Sequence, residues 1–139
     1  MSEMIGYCGY RCGSCLIYRE NLKKDPRNQQ IFRDKLEKYY SDNLPLEACH
    51  CDGCLTPDSE NPDLITKDCK IRPCALTKGL ESCAYCVKYP CEMVTRKNIE
   101  RAKIEEKYGA EISEADYKLL IKPYESSTTL ARMKQKKKE

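Results

Sequence analysis

The sequence predicts a small metal-stabilised domain, mostly α-helical, with irregular zinc-knuckle loops. Three observations lead there. Eleven of the 139 residues are cysteine. Three C-x2-C pairs, Cys12/Cys15, Cys51/Cys54 and Cys83/Cys86, have the spacing that turns two thiolates onto one ion about 2.3 Å away. Only 24 of the 139 residues are Leu, Ile, Val or Phe, below the roughly 20% at which a chain starts to look disordered. Such a chain needs something besides an oily core to hold its shape.

The compartment decides how the thiols are read. The start, "MSEMIGYCGYRC", has neither a basic nor an apolar segment of the signal-peptide kind. No apolar run approaches the ~18 residues needed to span a bilayer. The expectation is a cytoplasmic protein that is not in a membrane. Thiols there stay reduced, so a dense cysteine pattern points to metal more than to disulfides. The odd count also leaves one thiol over in any all-disulfide scheme.

The elements follow in order. Residues 1–94 read as a cysteine-rich metal-binding body with a helical insertion at 16–41. "SCLIYRENLKK" can begin a helix directly after Cys15. Asp25 then makes an N-cap with Pro26 at the first helical position. In "NQQIFRDKLEKYY", Ile31, Phe32, Leu36, Tyr39 and Tyr40 share one face at helical spacing. From Asp42 to Ile71, Pro45, Asp52-Gly53, Pro57 and Pro62 mark irregular loops. "PCALTKG" reads as a short helix from Pro73 to Gly79. "YPCEMVTRKNIERAKIEEKYG" reads as one long helix, opened by Pro90 and stopped by Gly109. Ser113 and Asp116 suggest a capping box for "EADYKLLI", which Pro123 stops. Residues 95–124 are thus helices packed on the body, and 125–139 a basic, disordered tail.

The tail carries Arg132, Lys134, Lys136, Lys137 and Lys138 against Glu125 and Glu139, a balance equal to the +3 of the whole chain. The body is therefore close to neutral, and no general nucleic-acid surface is implied. The tail reads first as a solubility device and only secondarily as a polyanion contact at 132–138.

The candidate metal ligands are Cys8, Cys12, Cys15, Cys49, Cys51, Cys54, Cys69, Cys74, Cys83, Cys86, Cys91 and His50. These twelve donors would fill three tetrahedral zinc sites. Cys49, His50 and Cys51 are adjacent and cannot easily all face one ion, so two ions with spare thiols fit equally well. Arg11, Lys70, Arg72 and Lys88 lie near cysteines and would balance thiolate charge. Cys91 is expected at a helix N-terminus, which favours thiolate and suits a ligand or a reactive cysteine. The spacing of Cys8, Cys12 and Cys15 is also that of radical S-adenosylmethionine enzymes. Those build a full or partial β/α barrel of some 200 residues or more, and no alternation of strands and helices follows Cys15. A plain iron–sulfur cluster stays open, since thiolates serve both metals.

The segments "YCGYRCGSCLIY", "CDGC", "CKIRPCALTKG" and "SCAYCVKYPCE", in this order over about residues 5–94, resemble a family of small cysteine-rich prokaryotic proteins known as domain of unknown function 3795. The resemblance implies a compact metal-binding fold, usually supposed to hold zinc. It carries over as ligands Cys8, Cys12, Cys15, Cys51, Cys54, Cys69, Cys74, Cys83, Cys86 and Cys91. The family often has another cysteine three residues before the one matching Cys69. Here that position is Thr66, and Cys49 is its candidate substitute. No reaction is implied.

No catalytic constellation is visible, because the usual serine and cysteine triads need a histidine and only His50 exists. The sequence leans away from an enzyme. The first expectation is a zinc-binding protein whose two or three ions are structural, acting as an interaction module for an unidentified protein partner. The alternative is an iron–sulfur or labile-thiol protein that handles electrons or metal.

Overall fold

The computed structural model describes residues 4–66 and 69–138. These contain seven α-helices and no β-strand, with one parallel bridge between Tyr18 and Cys51. The helices are α1 (Arg19–Lys24), α2 (Asn28–Tyr40), α3 (Ile71–Thr77), α4 (Glu92–Lys97), α5 (Arg101–Tyr108), α6 (Glu114–Leu120) and α7 (Ser126–Lys138).

The longest helix of the first half forms where the apolar spacing placed it. The Asp25 carboxylate accepts from the Arg27 backbone N–H at 3.0 Å, and its carbonyl accepts from Asn28. Asp25 thereby organises a turn, and α2 proper starts three residues later. Phe32 and Tyr39 are buried, Leu36 and Tyr40 half-buried, and Ile31 is left exposed. This face joins Leu16, Ile17, Cys49, Ile112, Leu120 and Ile121 in one buried cluster. The Tyr39 ring meets Tyr108 edge to face at 4.9 Å, and its hydroxyl donates to Asp116. Lys35 reaches the same carboxylate at 3.1 Å. At the start of α6 the Ser113 hydroxyl accepts from the Asp116 N–H. The Asp116 side chain goes to α2 rather than back to Ser113, so only half of a capping box forms.

A second, smaller cluster consists of Cys8, Ile71, Ala84, Val94 and Leu130. It joins the N-terminal loop, α3, α4, the turn at 83–85 and α7.

Two expectations are corrected. The single long helix after Pro90 is broken at residues 98–100, giving α4 and α5. The Ile99 N–H donates to the Tyr124 carbonyl at 3.1 Å, and the Asn98 side-chain carbonyl accepts from Ser127 at 3.0 Å. Tertiary partners thus take polar groups that a continuous helix would have left in place, and Ile99 packs on the first cluster. The tail expected to be disordered is helical, because its inner face is buried against the body. Leu130 is 1% exposed, and Ser126 and Thr129 are buried. The contact depends on Gly9, whose φ is +94°. A Cβ there would lie 2.7 Å from Leu130 Cγ and 2.8 Å from the Ser126 carbonyl oxygen. The basic residues occupy the outer face, where Lys134 and Lys137 lie over the rings of Tyr89 and Tyr85 at 4.9 and 4.1 Å.

Leu130→Ala is expected to cost about 2–5 kcal/mol in denaturant unfolding, the range for emptying a buried leucine site; a disordered tail would give no change. Asp116 supplies a pH-dependent term. Burial raises its carboxyl, but the Tyr39 hydroxyl and the Lys35 ammonium outweigh that and hold it below its ordinary value. Its contribution is therefore present above the ordinary carboxylate range and lost as pH falls through the depressed value. Asp116→Asn is expected to destabilise by about 1–3 kcal/mol at neutral pH, with the difference from wild type closing in acid, read from unfolding curves at several pH values.

Candidate metal centres

The thiol loops have recognisable local causes. Cys12–Ser14 is one 3-10 turn, closed by the Cys15 N–H to the Cys12 carbonyl at 3.1 Å. Cys83–Tyr85 is another, closed in the same way by Cys86 at 3.1 Å. In each, the tyrosine three residues on returns its N–H to the second cysteine's carbonyl, Tyr18 to Cys15 and Tyr89 to Cys86. The two loops share one conformation. The Cys51–Cys54 loop differs: it turns through Gly53 at φ +91°. Backbone N–H groups point at the sulfurs. Tyr10 donates to Cys8, Tyr7 to Cys54, Ile17 and Tyr18 to Cys15, and Lys88 to Cys86. Such bonds stabilise thiolate and are a common support for metal-bound sulfur.

Ten of the eleven cysteines fall into two sets. Cys8, Cys12, Cys15, Cys51, Cys54 and Cys69 line a cavity of about 580 Å³. Cys74, Cys83, Cys86 and Cys91 line a second one of about 130 Å³. In the larger, the neighbouring Cys12 thiol, with help from the Tyr7 N–H and the charge of Arg72, holds Cys54 below its ordinary value. Burial pushes Cys8 up to about 12, with a smaller push from Cys54 and Cys69. Burial also raises Cys15, whose sulfur lies 2.9 Å from the Tyr124 hydroxyl. In the smaller cavity burial pushes Cys83 up to about 11, and its neighbours Cys91, Cys74 and Cys86 add to this. Cys86 is lowered by the Lys88 N–H and by Lys78, whose ammonium is 3.5 Å from its sulfur.

Burial and neighbouring thiols therefore oppose the ionisation of Cys8, Cys15 and Cys83, and a cation placed beside them would remove that penalty. Four soft sulfur donors suit zinc or an iron–sulfur cluster. Among the described residues no three His, Cys, Asp or Glu side chains already converge as a metal-holding group.

Two candidates belong to neither set. Cys49 is fully buried in the first apolar cluster, where its thiol is 3.5 Å from the Pro45 carbonyl. His50 turns both ring nitrogens to other partners, Nδ1 to the Glu47 carbonyl at 2.9 Å and Nε2 to the Asp63 carboxylate. Cys91 is the N-cap residue of α4.

Sequence reasoning missed several supporting residues. Gly6 brings backbone against the sulfurs: a Cβ there would lie 2.6 Å from Cys54 Sγ and 3.1 Å from Cys12 Sγ. Asn21 donates to the carbonyls of Gly13 and Cys15 at 2.9 and 2.8 Å, holding the first knuckle onto α1. Arg72 stood out in the sequence only as a charge near cysteines. From α3 its guanidinium donates to the Cys54 and Thr56 carbonyls at 2.8 and 2.7 Å and to the Asp58 carboxylate at 2.7 Å. Its side chain is only 13% exposed. Arg72→Ala would strand two carbonyls and is expected to cost about 2–4 kcal/mol. Arg72→Lys should rescue little of this, since one ammonium cannot reproduce the planar fork; urea denaturation of the two variants checks it.

No helix among the described residues is long and apolar enough to cross a membrane. Neither a curated protein nor a solved structure matches the chain. A family model does match, over residues 4–96, which takes in both thiol sets. The chain belongs to the family described as Protein of unknown function (DUF3795).

Proposed function

We propose that this is a zinc-binding interaction module in which Cys74, Cys83, Cys86 and Cys91 hold a structural zinc ion. One observation carries the reading. Four thiols from three separate segments, α3, the 83–86 knuckle and the start of α4, border a single small cavity, in a region whose buried core is only Cys8, Ile71, Ala84, Val94 and Leu130. Burial of so few side chains, at about 1.5–3 kcal/mol for each large one, is a weak anchor for five segments. A zinc site that forms only on folding supplies an apparent 10–16 kcal/mol or so, comparable with the whole net stability of a typical domain.

Four thiolates fill a tetrahedral shell, so such an ion has no open position for substrate and acts as a clasp. Lys78 and Lys88 at the cavity offset part of the negative charge of a tetrathiolate site. The clasped surface then presents α3, the knuckle and α4 as a rigid face to a partner protein.

Anaerobically purified protein is expected to carry about one zinc per chain that Cys83→Ser and Cys86→Ser lose. Stripping that zinc with a chelator should remove much of the helical circular dichroism, and adding zinc back should restore it. Helical content unchanged after complete zinc removal would overturn the structural role.

A further inference from the structure

The larger cavity differs from the smaller in thiol number, size and walls. Six thiols line it, where one tetrahedral ion uses four. It is several-fold larger, and its other walls are mainly apolar or phenolic, with Ile17, Phe32, Leu36, Tyr10, Tyr40 and Tyr124 among them.

The six thiols divide further. Cys8 and Cys69 belong to the smaller apolar cluster, and the Cys12 and Cys54 sulfurs lie together against Gly6. Cys15 and Cys51 pack against the larger cluster, with Cys15 Sγ 2.9 Å from the Tyr124 hydroxyl. The first four have what an anionic cofactor requires. Backbone N–H groups of Tyr10 and Tyr7 point at Cys8 and Cys54, Gly6 leaves room for two sulfurs against the main chain, and Arg72 and Lys97 stand in the wall. Hydrogen bonds to sulfur, burial and nearby charge are the levers by which proteins hold and tune iron–sulfur clusters.

We propose that this cavity is an iron–sulfur cluster site with Cys8, Cys12, Cys54 and Cys69 as the four ligands, separate from the zinc at the other thiol set. The cluster fills volume that a lone zinc, drawing its sulfurs to about 2.3 Å, would leave empty. Cys15 and Cys51, packed against the larger apolar cluster, stay uncoordinated. The site stands independently of the zinc reading, because the two sets share no residue.

The full-length protein, purified without air or reconstituted anaerobically with ferric iron, dithiothreitol and sulfide, tests this. The expected product is brown, absorbs near ~400 nm and bleaches with dithionite. It contains iron and acid-labile sulfide in equal amounts, about two or four of each per chain, alongside its zinc. Cys12→Ser and Cys54→Ser should lose the colour and keep the zinc. Cys83→Ser should keep the colour, and Cys49→Ser should keep both. Mössbauer spectra of the wild-type protein, showing iron in all-thiolate cluster coordination, decide the matter should a cysteine variant fail to fold. Two zinc ions per chain with no iron uptake would overturn the cluster and leave the zinc clasp standing. Colour that survives loss of both Cys12 and Cys54, or no metal in this cavity after reconstitution, would also overturn it. A cluster without zinc at the other set would sink the clasp alone.

Discussion

The loop at residues 5–18 is held from three directions, and the rest of the structure depends on that. Its Arg11 N–H donates to the Pro123 carbonyl at 2.8 Å, and its Tyr7 carbonyl accepts from Cys83 at 3.0 Å. Ile17 and Arg19 exchange backbone bonds with Cys51, both at 2.9 Å. Gly9 lets α7 lie directly on the loop. Cys8 belongs to the smaller apolar cluster, while Leu16 and Ile17 belong to the larger. The segment that carries three thiols is therefore also the seam between two cores. Any movement of it would displace sulfurs and apolar contacts together.

This coupling gives the thiol sets their physical logic. A chain with few large apolar residues makes two small cores where a richer one would make a single large core. Each core has a group of sulfurs beside it, in loops whose irregular backbone is pinned by side chains: Asn21 for the first knuckle and Arg72 for the second. The third is capped by the Ser82 hydroxyl, which accepts from the Ala84 N–H at 3.1 Å. Thiols pushed up by burial are poor anions on their own, and that same burial makes them responsive to a metal ion.

Much of this was legible in the sequence, and the remainder was not for identifiable reasons. The face of α2 and the Ser113 cap were readable because periodicity and capping act within one turn. Cysteine spacing marked every thiol that lines the two cavities. It could not divide them into six and four, since that division depends on contacts such as Arg11 with Pro123 between remote parts of the chain. Cys49 and Cys51 are two residues apart, yet one sits in the apolar cluster and the other at a cavity. The break at 98–100 was hidden because "TRKNIERAK" has ordinary helical propensity, and only Tyr124 and Ser127 make the alternative better. The tail misled because lysines dominate its composition, while one leucine and two small hydroxyl residues determine its packing.

The matching knuckles at Cys12 and Cys83 lie far apart along the polypeptide, and the loop carrying the first is completed only by partners near Pro123 and Leu130. During synthesis, which runs at about 5–20 residues per second, the earliest sulfurs emerge many seconds before the groups that enclose them. For that interval they are accessible to oxidants and to any passing ion. A nascent chain of this kind keeps its thiols only in a reducing milieu, long before it has a shape to protect them.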